Sequence, residues 1–164
     1  MLLPGKPFPG VDIPLLGGGR WRLHTARHEL SLISVIRGHF CTYCHDNVVD
    51  LDRRNSDFDA IGIDVVVTST DDAQAAQTMV RDLDVRHIPV GFGLSEPDIR
   101  RLGLFATERA GAIFAEPAII LAKRSGEVYA VFQNSISCGK TDIDRLLEGL
   151  SLLAPAGYPL RGNA

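Results

Sequence analysis

The 164-residue chain predicts an α/β fold: a central mixed sheet flanked by helices, with an N-terminal β-hairpin extension. Three observations carry that prediction. Two runs rich in aliphatic and β-branched residues, Leu30–Ile36 and Ile61–Thr68, each precede a segment of helical periodicity, the pattern of parallel strands joined by helical crossovers. Pro117–Lys123 and Glu127–Gln133 flank Arg124-Ser125-Gly126, as an antiparallel hairpin requires. Two thiols, in Cys41-Thr42-Tyr43-Cys44, stand where the first run hands over to its helix.

Residues 5–30 alternate turn signals with short extended pieces, Val11–Leu16 and Trp21–Leu23, and predict a hairpin around Gly17-Gly18-Gly19. Leu30–Ile36 reads as a central strand covered on both faces. In the helix after it, Val48, Val49, Leu51 and Phe58 mark one face and Asp46, Asp50, Arg53 and Arg54 the other. Ile61–Thr68 is the second central strand. Asp71, with Gln74 three residues on, reads as a capping box opening a helix to about Leu83. A short extended piece, His87–Phe92, and a helical turn or two from Glu96 to Leu102 follow, then a loop, Leu104–Ala115. After the hairpin, Thr141 caps a last helix with Asp142 and Asp144 in its first turn and Leu146, Leu147 and Leu150 inward. The expectation is one domain over residues 1–164 with an irregular tail from about 155, and no internal repeat.

Composition narrows the function. The formal net charge is −3 and no Lys/Arg cluster stands out, which argues against nucleic acid as a partner. No apolar run approaches the roughly 18 residues of a membrane span. Pro4, Gly5, Pro7 and Pro9 interrupt the N-terminus before a secretory core could form, so a soluble, cytoplasmic protein is expected. The cysteine count is odd, three, and two are close together, unlike a secreted disulfide framework. No cofactor is implied.

The element order β-α-β-α, then a hairpin and a helix, is that of a thioredoxin fold. A right-handed crossover makes the two central strands parallel and starts the first helix at the carboxyl edge of the sheet, putting Cys41 and Cys44 in an accessible position. Unpaired N–H groups and the positive end of the helix dipole stabilise a thiolate there. A redox dithiol is the leading reading. The alternatives are two small buried hydrophobes, or half of a zinc site completed by Cys138 and either His39 or His45. Arg37, at the strand end, could set a permanent charge beside the sulfurs. Glu116-Pro117 opens the next strand; within this fold a cis-proline facing the thiols is expected, leaving backbone groups free to hold substrate. The candidate positioning residues are therefore Arg37, Tyr43, Glu116 and Pro117, with Cys138 as an auxiliary thiol or a plain surface cysteine. His24, His28 and His87 receive no role.

Ile36–Cys44, Pro89–Ser95, Arg101–Leu104, Phe114–Pro117 and Tyr158–Gly162, in that order, resemble the peroxiredoxin-like branch of the alkyl hydroperoxide reductase/thiol-specific antioxidant family. The resemblance implies a peroxiredoxin-type thioredoxin fold and thiol-dependent antioxidant activity. That family carries Pro-x-x-x-Thr-x-x-Cys around its peroxidatic thiol. Setting that Cys on Cys44 puts Arg37 at the Pro and Cys41 at the Thr, and the family's arginine falls near Glu116. Relatives in the branch usually read His-Cys-Pro-x-Cys, where this chain has Phe40 before Cys41 and Thr42 after it.

Three functions follow, in order. The first is a thiol–disulfide oxidoreductase in which Cys41, the more exposed thiol, attacks and Cys44 resolves. The second is a thiol peroxidase in which Cys44 (or Cys41) is oxidised to sulfenic acid and its neighbour condenses with it, Arg37 replacing the missing arginine. The third is a redox-sensing or zinc-binding module without turnover. The partners called for are a thiol reductant of thioredoxin or glutathione type and a disulfide or hydroperoxide, with a homodimer left open.

Overall fold

The computed structural model describes residues 2–153 and 157–162. Two short strands, β1 (Ile13–Pro14) and β2 (Arg20–Trp21), form the expected N-terminal hairpin across the triple glycine, and a 3-10 turn, Leu23–Thr25, follows. β3 (Leu30–Val35) leads into α1 (Thr42–Arg53) and α2 (Asn55–Ala60), and β4 (Ile63–Thr68) into α3 (Ala73–Asp82). Then come α4 (Glu96–Arg101), the pair β5 (Ala106–Arg109) and β6 (Ala112–Ala115), the hairpin β7 (Ala118–Lys123) and β8 (Val128–Gln133), and α5 (Ile143–Leu153).

The main sheet runs β4-β3-β7-β8. β3 pairs in parallel with β4, from Leu30↔Ile63 to Val35↔Thr68, and antiparallel with β7, from Leu30↔Lys123 to Val35↔Ala118. Because successive side chains point to opposite faces, β3 feeds two cores at once. Ile33 and Val35 join Val66, Ile120 and the N-terminal hairpin on one face; Leu32 joins Val65, Val67, Ile119, Leu121 and the inner faces of α1, α3 and α5 on the other. The near-continuous apolar runs in the two central strands thus reflect burial on both sides.

Four local differences from the sequence expectation have physical causes. Leu104–Ala115 contains a β-hairpin rather than only a loop, turning at Ala110 and Gly111, both with positive φ. α3 is capped by Asp72, whose carboxylate accepts from Ala75 N–H, so Asp71 is free for another partner. Val49 faces solvent while Asp52 faces inward, where its carboxylate accepts the backbone N–H groups of Arg86, His87 and Ile88 at 2.7–3.2 Å. The peptide before Pro117 is trans, not cis, since the described residues contain no cis bond. The chain enters β7 straight, with Pro117 O accepting from Asn134 N–H of the neighbouring strand's end. The expected tail falls partly on residues 154–156 and 163–164, outside the described residues.

Asp52 is the pin between α1 and the segment that lies along β4, where Val67 and Val90 form a parallel bridge. Replacing it with Ala strands buried N–H donors, so Asp52→Ala should cost about 2–3 kcal/mol in urea unfolding. Hydrogen exchange should show amides 86–88 losing protection first; uniform protection across the chain would contradict this role.

Candidate active site

β3 ends at Val35, and the chain must turn through Arg37 and Gly38 before α1 begins. Gly38 sits at φ 139°, and a Cβ there would come within 2.6 Å of Asp71 Oδ1. The close approach has a purpose: Asp71 Oδ2 accepts the His39 backbone N–H at 2.7 Å and the Ser69 hydroxyl at 3.0 Å, while His39 Nδ1 lies 3.3 Å from Oδ1. The loops after β3 and β4 are thereby tied together just ahead of the thiols.

Cys41 is the N-cap residue of α1, and its carbonyl accepts from Cys44 N–H at 2.9 Å. Cys44 stands three positions into the helix. The helix start brings both sulfurs together, within hydrogen-bonding reach of each other. Neither is accessible as expected: Cys41 is 3% and Cys44 4% exposed, both packed with Leu32, Ile36 and Val48. The cap position turns Cys41 inward, so it is not the more exposed thiol. What reaches the pair is a narrow crevice of about 10 Å³ lined by Cys44, Tyr43, Asn47, Pro117, Asn134 and Lys140, among others, and not by Cys41.

Electrostatics oppose one another here. Burial, and then the hydrogen bond with the Cys41 sulfur, push the Cys44 thiol up to about 12. The Arg37 backbone N–H, donated to that sulfur, and the Arg37 charge pull it down. The guanidinium is itself clamped: it lies 4.8 Å from the Phe114 ring centroid and 5.5 Å from that of Phe40, and Nε is 3.3 Å from Glu116 Oε2. Thr107 of the unanticipated hairpin donates to Glu116 Oε1 at 2.6 Å. Glu116 therefore positions Arg37 instead of facing the sulfur.

Of the residues singled out from sequence, Arg37, Tyr43, Cys41, Cys44, Glu116 and Pro117 converge. Cys138 is exposed, in a segment whose Ser137 and Lys140 wall the crevice. His45 Nε2 lies 2.6 Å from the His39 carbonyl, and among the described residues no group of three or more His, Cys, Asp or Glu could hold a metal ion. Sequence reasoning missed Asn47, Asp71, Thr107 and Phe114. Asn47 had a legible signal: one turn beyond Cys44, it is a polar residue on the face that Val48 and Leu51 make apolar.

Two outcomes are expected. Arg37→Met, which leaves Glu116 buried without its cation, should lose about 3 kcal/mol of stability, most of it regained on adding Glu116→Gln. Unfolding curves that show no such recovery would separate the two side chains. Because the Cys44 pKa is raised, its thiolate fraction should climb about tenfold per pH unit between pH 7 and 9. The rate of Cys44 alkylation, read by peptide mass spectrometry, should follow that slope without a plateau; levelling off below pH 8 would contradict it.

No curated protein sequence matches the chain. Among solved structures, AhpC of Mycobacterium bovis superposes with a TM-score of 0.80 at 15% identity, covering 100% of this chain and 98% of that one. A peroxiredoxin-like protein from Aquifex aeolicus gives 0.77 at 15% identity, covering 92% and 87%. Thiol peroxidase from Chromobacterium violaceum gives 0.73 at 18%, covering 93% and 88%. These likenesses establish the fold, a peroxiredoxin-type thioredoxin fold. The sequence profile of the AhpC/TSA family matches residues 4–131. Since that stretch takes in both sulfurs, Glu116 and the sheet as far as most of β8, the chain belongs to the AhpC/TSA family and is a thiol-dependent oxidoreductase.

Proposed function

We propose that the chain is a thiol peroxidase in which Cys44 reduces a small hydroperoxide and Cys41 resolves the product as an intrahelical disulfide. The observation that carries this reading is the crevice. Only Cys44 of the pair borders it, and its roughly 10 Å³ has room for about one water-sized group. The –O–O–H end of a hydroperoxide can enter end-on. A protein disulfide, with a polypeptide on each sulfur, meets a thiol that is 4% exposed only after the start of α1 opens. This favours the peroxidase over disulfide exchange initiated by Cys41.

Cys44 loses its proton and its sulfur attacks the terminal oxygen of the hydroperoxide; an S–O bond forms as the O–O bond breaks. The sulfur is oxidised by two electrons to sulfenic acid, and the departing alkoxide, or hydroxide, takes up the proton. The Cys41 thiol then attacks the Cys44 sulfur, forming S–S and releasing the hydroxyl with the Cys41 proton as water. Once the start of α1 opens to admit them, two thiols of a glutathione- or thioredoxin-type reductant restore the pair. Arg37 favours the sulfur's negative charge through its N–H and its guanidinium, Glu116 holds that guanidinium, and Tyr43 and Pro117 shape the passage. Cys138 is a second candidate for resolving thiol. Among the described residues no helix is long and apolar enough to cross a membrane. A reducing compartment such as the cytoplasm would keep the pair in its reactive state, and a homodimer is compatible with this scheme.

Hydrogen peroxide consumption with a dithiol reductant tests the proposal. The wild-type chain should outpace a free thiol by orders of magnitude, Cys44→Ser should abolish the reaction, and Cys41→Ser should accumulate a sulfenic acid that dimedone traps on Cys44. A rate no better than a free thiol's, with rapid reduction of a model disulfide through Cys41, would replace this reading with disulfide exchange.

A further inference from the structure

Asn47 is 8% exposed and borders the crevice one helical turn from Cys44. Its Nδ2 donates to the Thr141 carbonyl at 3.3 Å. That carbonyl can only accept, so it fixes which way the amide points: nitrogen toward Thr141, oxygen away from it. Oδ1 is left buried with no hydrogen-bond partner. An unsatisfied amide oxygen in such a place has lost its hydration without replacement, so it needs an explanation. The crevice supplies one, since Asn47 and Cys44 both line it.

Resting on the peroxidase reading above, we propose that Asn47 is a catalytic residue that orients the substrate: Oδ1 accepts the O–H hydrogen bond of the hydroperoxide oxygen that Cys44 attacks. In a hydroperoxide R–O–O–H the attacked terminal oxygen carries the hydrogen, so one acceptor beside the sulfur sets both its distance and the O–O direction. The same hydrogen stays on that oxygen when it becomes the sulfenic hydroxyl, and the contact persists through the step. The site thereby selects peroxides with a free O–H, hydrogen peroxide and short alkyl hydroperoxides.

Single-turnover kinetics in a Cys41→Ser, Cys138→Ser background test the proposal, with Cys44 as the sole thiol. Two reagents are compared: hydrogen peroxide, and methyl methanethiosulfonate, which has no O–H or N–H to donate. Asn47→Leu should slow the peroxide reaction about a hundredfold and the thiosulfonate reaction less than about threefold. Asn47→Gln, which keeps the acceptor, should restore most of the peroxide rate and guards against a Leu variant that folds poorly. Equal slowing of both reagents in either variant would reduce Asn47 to a structural residue and overturn the assignment. A brisk Cys44 reaction indifferent to residue 47 overturns it while leaving the peroxidase standing. A parent chain no faster with peroxide than a free thiol removes both.

Discussion

The site depends on β3 being hydrogen-bonded on both edges. Its six residues are paired with β4 on one side and β7 on the other, so its carboxyl end cannot shift without breaking two ladders. From that fixed end only a few residues separate Val35 from the cap of α1, and Ile36 N–H is already bonded to the Thr68 carbonyl. The position of Cys41 and Cys44 is therefore a property of the sheet, transmitted through a loop too short to wander. Asp71 completes the transmission by holding His39 to the end of β4.

Within that frame the chemistry is a contest between dry surroundings and a few oriented charges. Two sulfurs sunk among aliphatic side chains favour the neutral thiol; one peptide N–H and one guanidinium favour the anion. The guanidinium is kept near the sulfur by aromatic faces and by a buried carboxylate, and the carboxylate is kept in place by a hydroxyl from β5. Removing any one of these leaves another without its partner. The small hairpin β5–β6, remote in sequence from the thiols, thus belongs to their environment.

Much of the fold was legible because burial on two faces writes long apolar runs into β3 and β4, and because Arg124-Ser125-Gly126 announces the β7–β8 turn. The convergence of Arg37, Cys41, Cys44 and Pro117 was legible for a related reason: topology alone brings the ends of β3 and the start of β7 together. What stayed hidden were features set by side-chain direction. Ala106–Arg109 is mostly exposed and carries no apolar alternation, so its pairing with β6 left no trace. Asp71 and Asp72 are adjacent and chemically identical, and only the local geometry decides which one caps α3. The accessibility of Cys41 could not be read from its place in the motif, because an N-cap side chain can lie against the helix or away from it. The peptide before Pro117 was expected in the wrong isomer because that expectation came from the fold type and not from its own hydrogen bonds.

Lys140, which lines the crevice, and the charged side chains of the neighbouring loops come in matched couples. Arg37 is set against Glu116, Lys140 donates to Asp46 at 2.9 Å, and His39 leans on Asp71. Such a doorway exerts little long-range pull on an approaching solute, in contrast to clefts whose uniform sign funnels ions inward. Arrival is then left to ordinary diffusion of uncharged molecules, and added electrolyte, which screens only unbalanced fields, has little left to weaken.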